Sequence, residues 1–182
     1  MAVVHLVQHA EQRPGVNDPG RRERGTRQAT RAGRWLADAG IAALFTSPRQ
    51  HAVDAAALIS ATCGLAVHRD ERLRDRLEWD GVEPAADFAA EWDRTTADRD
   101  YEPARGESSR RAGERLRDFL LAERYVGEKP VAAVTHSGVT VDLLRTLMGD
   151  DAVPDRLIRD GMPRGAITTV DGLRVVRIAH LP

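Results

Sequence analysis

Apolar residues are spaced along this chain in two alternating rhythms, short compact runs and longer stretches with a helical period. Residues 3–7 are a brief run rich in β-branched side chains, broken only by His5, and they predict a central strand. Polar and turn-forming residues follow, with Pro14-Gly15 and Asn17-Asp18-Pro19-Gly20 predicting an irregular loop. Over residues 22–39 Ala29, Ala32, Trp35, Leu36 and Ala39 recur at helical spacing, and Gly40 supplies a stop. Residues 41–45 predict a second strand. Thr46-Ser47-Pro48 then reads as a cap with proline at the first helical position, opening a helix that runs to about Cys63 and ends at Gly64. A third strand is expected at 65–68.

Between residues 70 and 106 the rhythm breaks down among charges, prolines, Trp79 and Trp92. A loop with one or two short helices, covering a site, is the expectation there. An amphipathic helix is predicted at about 108–125, with Leu116, Phe119, Leu120 and Ala122 on its apolar side. A small, apolar strand at 130–135 precedes a helix at 139–148. Two last strands, 166–170 and 174–178, turn at Asp171-Gly172. Strands alternating with helices imply an α/β fold, a three-layer α/β/α arrangement around a mostly parallel sheet. The length of 182 residues suits one domain spanning 1–182, with the variable segment at about 70–106 laid over its site.

Apolar residues make up 42% of the chain, enough to build a core. The 27 basic residues are balanced by 28 acidic ones, which argues against binding nucleic acid or an acidic membrane surface. The cations are arginines except for Lys129, a bias that a GC-rich genome accounts for. Cys63 is alone, so no internal disulfide forms, and its Ala-rich apolar helix predicts a buried, inert thiol. No apolar run approaches the roughly 18 residues of a membrane span, and no signal-type leader is evident, so a cytoplasmic location is expected. No Gly-x-Gly-x-x-Gly follows the first strand, and no phosphate loop ends in Gly-Lys-Ser/Thr. No cofactor is expected. The expected partner is a small-molecule substrate, and the expected state a monomer or homodimer.

In open α/β sheets, ligands bind at the carboxyl ends of the strands. His9 and His136 each follow a predicted strand directly, which places both in one cleft. One histidine at a strand end is as easily a satisfied structural group. Two are better evidence. Around them, Leu6-Val7-Gln8-His9-Ala10-Glu11 resembles the Leu-Val-Arg-His-Gly-Glu/Thr start of the histidine phosphatase superfamily, the phosphoglycerate mutase-like family. Asp18-Pro19, Glu23-Arg24-Gly25 and Gln28-Ala29 are similar to that family's first helix, although Arg21-Arg22 stand where Leu-Thr is usual. Further matches are Ser47-Pro48-Arg49-Gln50-His51-Ala52, Leu73-Arg74-Asp75-Arg76, Gly106-Glu107-Ser108 and Thr135-His136-Ser137-Gly138.

The resemblance implies that His9 attacks a phosphoryl group to give a phosphohistidine, which water then hydrolyses. It implies that His136 contacts the phosphoryl oxygens, and that Asp75 protonates the leaving oxygen. Gln8, His51, Glu11, Arg76 and Ser137 are the implied substrate contacts. Two positions depart from the family in a way that matters. Gln8 replaces the arginine before the nucleophile, and His51 replaces the arginine of the following helix. A guanidinium offers fixed charge and a planar fork suited to phosphate; Gln8 carries no charge, and His51 is cationic only near or below its pKa. Losing one such donor costs roughly 3 kcal/mol. Arg13, Arg49, Arg74 and Arg76 lie nearby in sequence as possible substitutes, and Ala10 adds a methyl group where the family has glycine.

Four readings stay open from the residues. The chain is a phosphatase-type hydrolase of a small phosphorylated metabolite, working through a modified pocket. Alternatively, it has been redirected to a non-phosphate substrate in a biosynthetic pathway, or it is a non-catalytic ligand- or partner-binding module. A fourth reading places a metal on His9, His51, His136 and Asp75, since three imidazoles and a carboxylate suit zinc.

Overall fold

The computed structural model of the protein describes residues 3–10, 19–79, 81–122 and 129–182. Six strands form one sheet: β1 (Val3–Gln8), β2 (Ala43–Thr46), β3 (Val67–Arg69), β4 (Val131–Thr135), β5 (Ile167–Asp171) and β6 (Arg174–His180). Their spatial order is β3-β2-β4-β1-β5-β6. The four strands from β3 to β1 run parallel, and β5 and β6 close the sheet as an antiparallel hairpin beside β1. The chain has a mostly parallel α/β/α fold.

The pleat explains the layering. Side chains alternate between faces along a strand. From β1 and β4, Val4, Leu6, Val131 and Ala133 enter one core with Phe45, Leu116, Phe119, Val139 and Leu143. Their neighbours Val7, Ala132 and Val134 enter the opposite core with Leu44, Ala29, Leu36, Ala52 and Ile59. Helices α1 (Pro19–Asp38) and α2 (Gln50–Cys63) cover that second face, and α4 (Ser109–Leu120) and α5 (Ser137–Met148) the first. Helix α3 (Ala85–Ala97) lies in the variable segment, after a 3₁₀ turn at Glu71–Leu73, and α6 (Asp155–Asp160) follows a second such turn at Asp150–Ala152. Neither α6 nor that second turn is announced by the hydrophobic pattern. Both are short, and Val153, Leu157 and Met162 pack on Val141 and Leu144 of α5.

Several element starts shift by a few residues from expectation, two of them beside prolines. Helix α1 begins at Pro19, so Pro19-Gly20 is the helix's first turn rather than a loop, consistent with proline's preset φ and missing N–H being harmless there. Helix α2 begins at Gln50, with Arg49 as an N-cap that makes no side-chain cap bond. Ser47 is not the cap; its hydroxyl is engaged by His136. Cys63 is only half-buried, and its thiol, bonded to the Gly33 carbonyl, is pushed up in pKa by burial. No described helix is long and apolar enough to cross a membrane.

Candidate active site

The parallel strands deliver their last residues to one edge of the sheet. The His9 N–H donates to the Thr135 carbonyl at 3.1 Å and the Ser47 N–H to the Val134 carbonyl at 2.9 Å, so the sheet's hydrogen bonding runs up to the site. His9 leaves β1, His136 leaves β4 as the N-cap of α5, and His51 sits in the first turn of α2. The N-terminal ends of α2 and α5 therefore both face the same place, and their dipoles favour an anion there.

Three imidazoles meet at this edge. Ring centroids are 4.4 Å apart for His9 and His51, 4.9 Å for His51 and His136, and 5.3 Å for His9 and His136. His9 Nδ1 lies 3.1 Å from the Ala10 carbonyl. A carbonyl only accepts, so Nδ1 carries the proton and Nε2 keeps its lone pair. Burial, with His51 and Arg164 adding to it, holds the His9 pKa down at about 4. The ring is neutral at physiological pH. His136 is placed by two contacts, Nε2 to Ser47 Oγ at 2.8 Å and Nδ1 to His51 Nε2 at 3.1 Å. Burial also pushes His136 well below the ordinary histidine value, with His9 and His51 contributing, and lowers His51, with Arg164 and Arg49 contributing.

Asp75 follows the 3₁₀ turn after β3 and faces the same cleft. Its Oδ1 accepts from the N–H groups of Val139 at 3.0 Å and Arg76 at 3.1 Å. Both bonds and the Arg76 charge favour the carboxylate. Burial outweighs them, and with Asp142 nearby the pKa is pushed up to about 6. An acid of this strength holds and gives up a proton near neutrality.

The cleft has a volume of about 550 Å³ and is lined by His9, His51, His136 and Asp75 together with Leu77, Trp79 and Arg164. Trp79 and Leu77 come from the variable segment. Trp92 does not line the cleft; it stacks on the Arg76 guanidinium, 3.9 Å from ring centre to charge.

Of the expected substrate contacts among the described residues, only His51 lines the cleft. Gln8 is buried, its amide donating to Thr140 Oγ1 at 2.9 Å while Oε1 has no partner among the described residues. Arg76 is buried and held by both oxygens of Asp142, at 2.9 and 3.0 Å, and by Thr95 and Thr96. Its guanidinium is committed to holding α3 against α5. Ser137 Oγ accepts from the Met162 N–H at 2.6 Å, tethering the loop before β5. Glu11 and Arg13 lie outside the described residues.

Among the other arginines near the site in sequence, Arg49 pairs with Glu78, and Arg74 pairs with Glu107 at 3.1 Å. Arg164 was not singled out by any motif. It is exposed, lines the cleft and makes no ion pair with a described residue. The signals that could have found it are the glycines on either side, Gly161 at φ +77° and Gly165 at φ +72°, which shape the loop presenting it.

A sequence profile of the histidine phosphatase superfamily, branch 1, matches residues 5–171. The chain belongs to this superfamily. No curated protein sequence matches it. Among solved structures, mycobacterial hydrolase 1 is 20% identical with a TM-score of 0.72, covering 100% of this chain and 99% of its own. A mycobacterial glucosyl-3-phosphoglycerate phosphatase in complex with VO3 is 23% identical with a TM-score of 0.68, covering 94% and 93%. A putative alpha-ribazole-5'-P phosphatase from Escherichia coli is 17% identical with a TM-score of 0.69, covering 98% and 96%. At these identities the similarity is one of fold, and it spans essentially whole chains.

Proposed function

We propose that this histidine phosphatase superfamily member is a phosphomonoesterase that acts on a small phosphorylated metabolite through a phosphohistidine on His9. The observation that carries this reading is the His9 ring itself. Its Nδ1–H is fixed on the Ala10 carbonyl, it is neutral at working pH, and it sits in one cleft with His136 and Asp75. In the first step Nε2 attacks phosphorus and the bond to the ester oxygen breaks, while the Asp75 carboxylic acid gives that oxygen its proton. In the second, the Asp75 carboxylate takes a proton from water, which attacks the phosphohistidine and releases phosphate. The two helix N-termini favour the phosphoryl oxygens there, and His136 contacts them once its Nδ1 parts from His51.

Arg164 supplies the fixed positive charge that Gln8 and His51 do not. It reaches the cleft from the far end of the chain instead of from the two motif positions. Leu77 and Trp79 offer an apolar wall for the organic part of the substrate. Phosphorylated sugar-like metabolites fit this description, the class named for the structurally similar phosphatases. The test is hydrolysis of an aryl phosphate, inhibition by vanadate, and loss of both vanadate binding and turnover in His9→Ala.

A second reading is favoured by one observation, the loss of both motif arginines with Gln8 turned into the protein interior. It gives the cleft a substrate without a phosphate dianion. The double change Gln8→Arg/His51→Arg separates the two. A phosphatase with a weakened pocket gains aryl phosphatase activity from the added charge, whereas a pocket rebuilt for another ligand gains none.

A further inference from the structure

The three imidazoles do more than line a phosphoryl site. One donor nitrogen from each of His9, His51 and His136 lies within 4.8 Å of the other two. Four-coordinate zinc holds imidazole nitrogens at about 2.0–2.1 Å, which puts two ligand nitrogens about 3.4 Å apart. His51 Nε2 and His136 Nδ1 are already 3.1 Å from each other.

For His9 and His136 the other ring nitrogen is occupied in the manner that metal-binding histidines need. His9 Nδ1 donates to the Ala10 carbonyl and leaves Nε2 free. His136 Nε2 is held by Ser47 Oγ, leaving Nδ1 directed at His51. Such outer contacts fix ring orientation and tautomer in metal sites. Asp75 faces the same cleft as an anionic partner, and Glu78 offsets the nearby Arg49. An arginine at position 51, the usual residue of the family, would leave only two imidazoles.

We propose that His9, His51 and His136 form a three-histidine site for a divalent transition-metal ion of the zinc class, and that the ion and the phosphoryl group compete for His9 Nε2. The metal is a second ligand of the cleft, outside the phosphatase cycle. Its occupancy withholds the nucleophile.

The test uses the tag-free, chelator-stripped full chain, titrated with Zn²⁺ by calorimetry and with Co²⁺ by visible absorption. The expected result is one ion per chain, with the intense d–d bands of a low-coordinate cobalt site. His51→Arg weakens binding at least a hundredfold, and His68→Ala, on the edge strand β3, leaves it as in the native protein. Absence of saturable one-to-one binding overturns the proposal, as does native affinity in His51→Arg. The readout is independent of turnover, so it stands whether or not the phosphatase reading holds. Where phosphatase activity is present, Zn²⁺ inhibits it competitively with substrate and excess chelator restores it.

Discussion

Two polar clusters flank the N-terminal half of α5, and they handle charge in opposite ways. On one side His9, His51 and His136 are packed with their charges suppressed by burial. On the other, Arg76 and Asp142 are buried as an ion pair and satisfied by each other, with Ser109 Oγ donating to Asp142 at 2.6 Å and Thr95 and Thr96 completing the Arg76 guanidinium. Arg99 and Arg145 extend this second cluster to Asp150. A buried charge needs a matched partner, whereas a neutral imidazole can wait with a lone pair unused. Paired charge therefore holds the variable segment on the domain, and unpaired neutral nitrogen is kept for chemistry. Arginine is abundant near the site and is mostly spent on architecture.

The contrast is broken most severely at His9. His9→Ala is expected to lower aryl phosphatase activity by at least about a thousandfold, with thermal unfolding little changed. The second cluster should respond in the reverse order. Arg76→Ala leaves Asp142 buried without its counter-charge and is expected to cost about 3–5 kcal/mol, read as a drop of roughly 10 °C in Tm. Activity then falls as a consequence of α3 loosening. If Arg76→Ala instead abolished turnover with Tm unchanged, Arg76 would belong to the reacting site.

Asp75 lies between the clusters, and its raised value gives the pH dependence. A leaving-group acid must be protonated, so kcat/KM for an alkyl phosphate falls about tenfold per unit above a pKa of about 6. Activity rises with pH through the His9 value of about 4, as the nucleophile loses its proton. An aryl phosphate, whose leaving oxygen needs no proton, shows a much weaker fall above pH 6. The smallest effect is assigned to Arg164. Arg164→Ala is expected to raise KM and lower kcat/KM for phosphate esters by about tenfold, with stability unaltered because the side chain is exposed.

The sheet, the alternation of its strands with the longer helices, and the position of His9 and His136 directly after β1 and β4 were legible in the sequence because each rests on local pattern. β1 and β4 are apolar runs, and both histidines come directly after them. Side-chain direction was less legible. Arg76 sits where a motif puts an arginine, but its guanidinium is turned by Asp142, 66 residues away on α5. Ser47 precedes a proline as a cap would, yet its hydroxyl serves His136, 89 residues away. Arg164 was the least legible, for the same reason. Its place depends on the Ser137 tether to Met162 and on two left-handed glycines, not on any run around it.

The central claim is that His9 Nε2 becomes phosphorylated, and trapping that intermediate tests it most directly. Chelator-stripped protein is mixed with a fast aryl phosphate, quenched within the first turnovers under alkaline conditions, and mapped by peptide mass spectrometry. The account predicts one acid-labile, base-stable phosphoryl group on His9, absent from unreacted protein and accumulating further in Asp75→Asn. Steady phosphate release with an unmodified His9, or a phosphoryl group on any other residue, would contradict it.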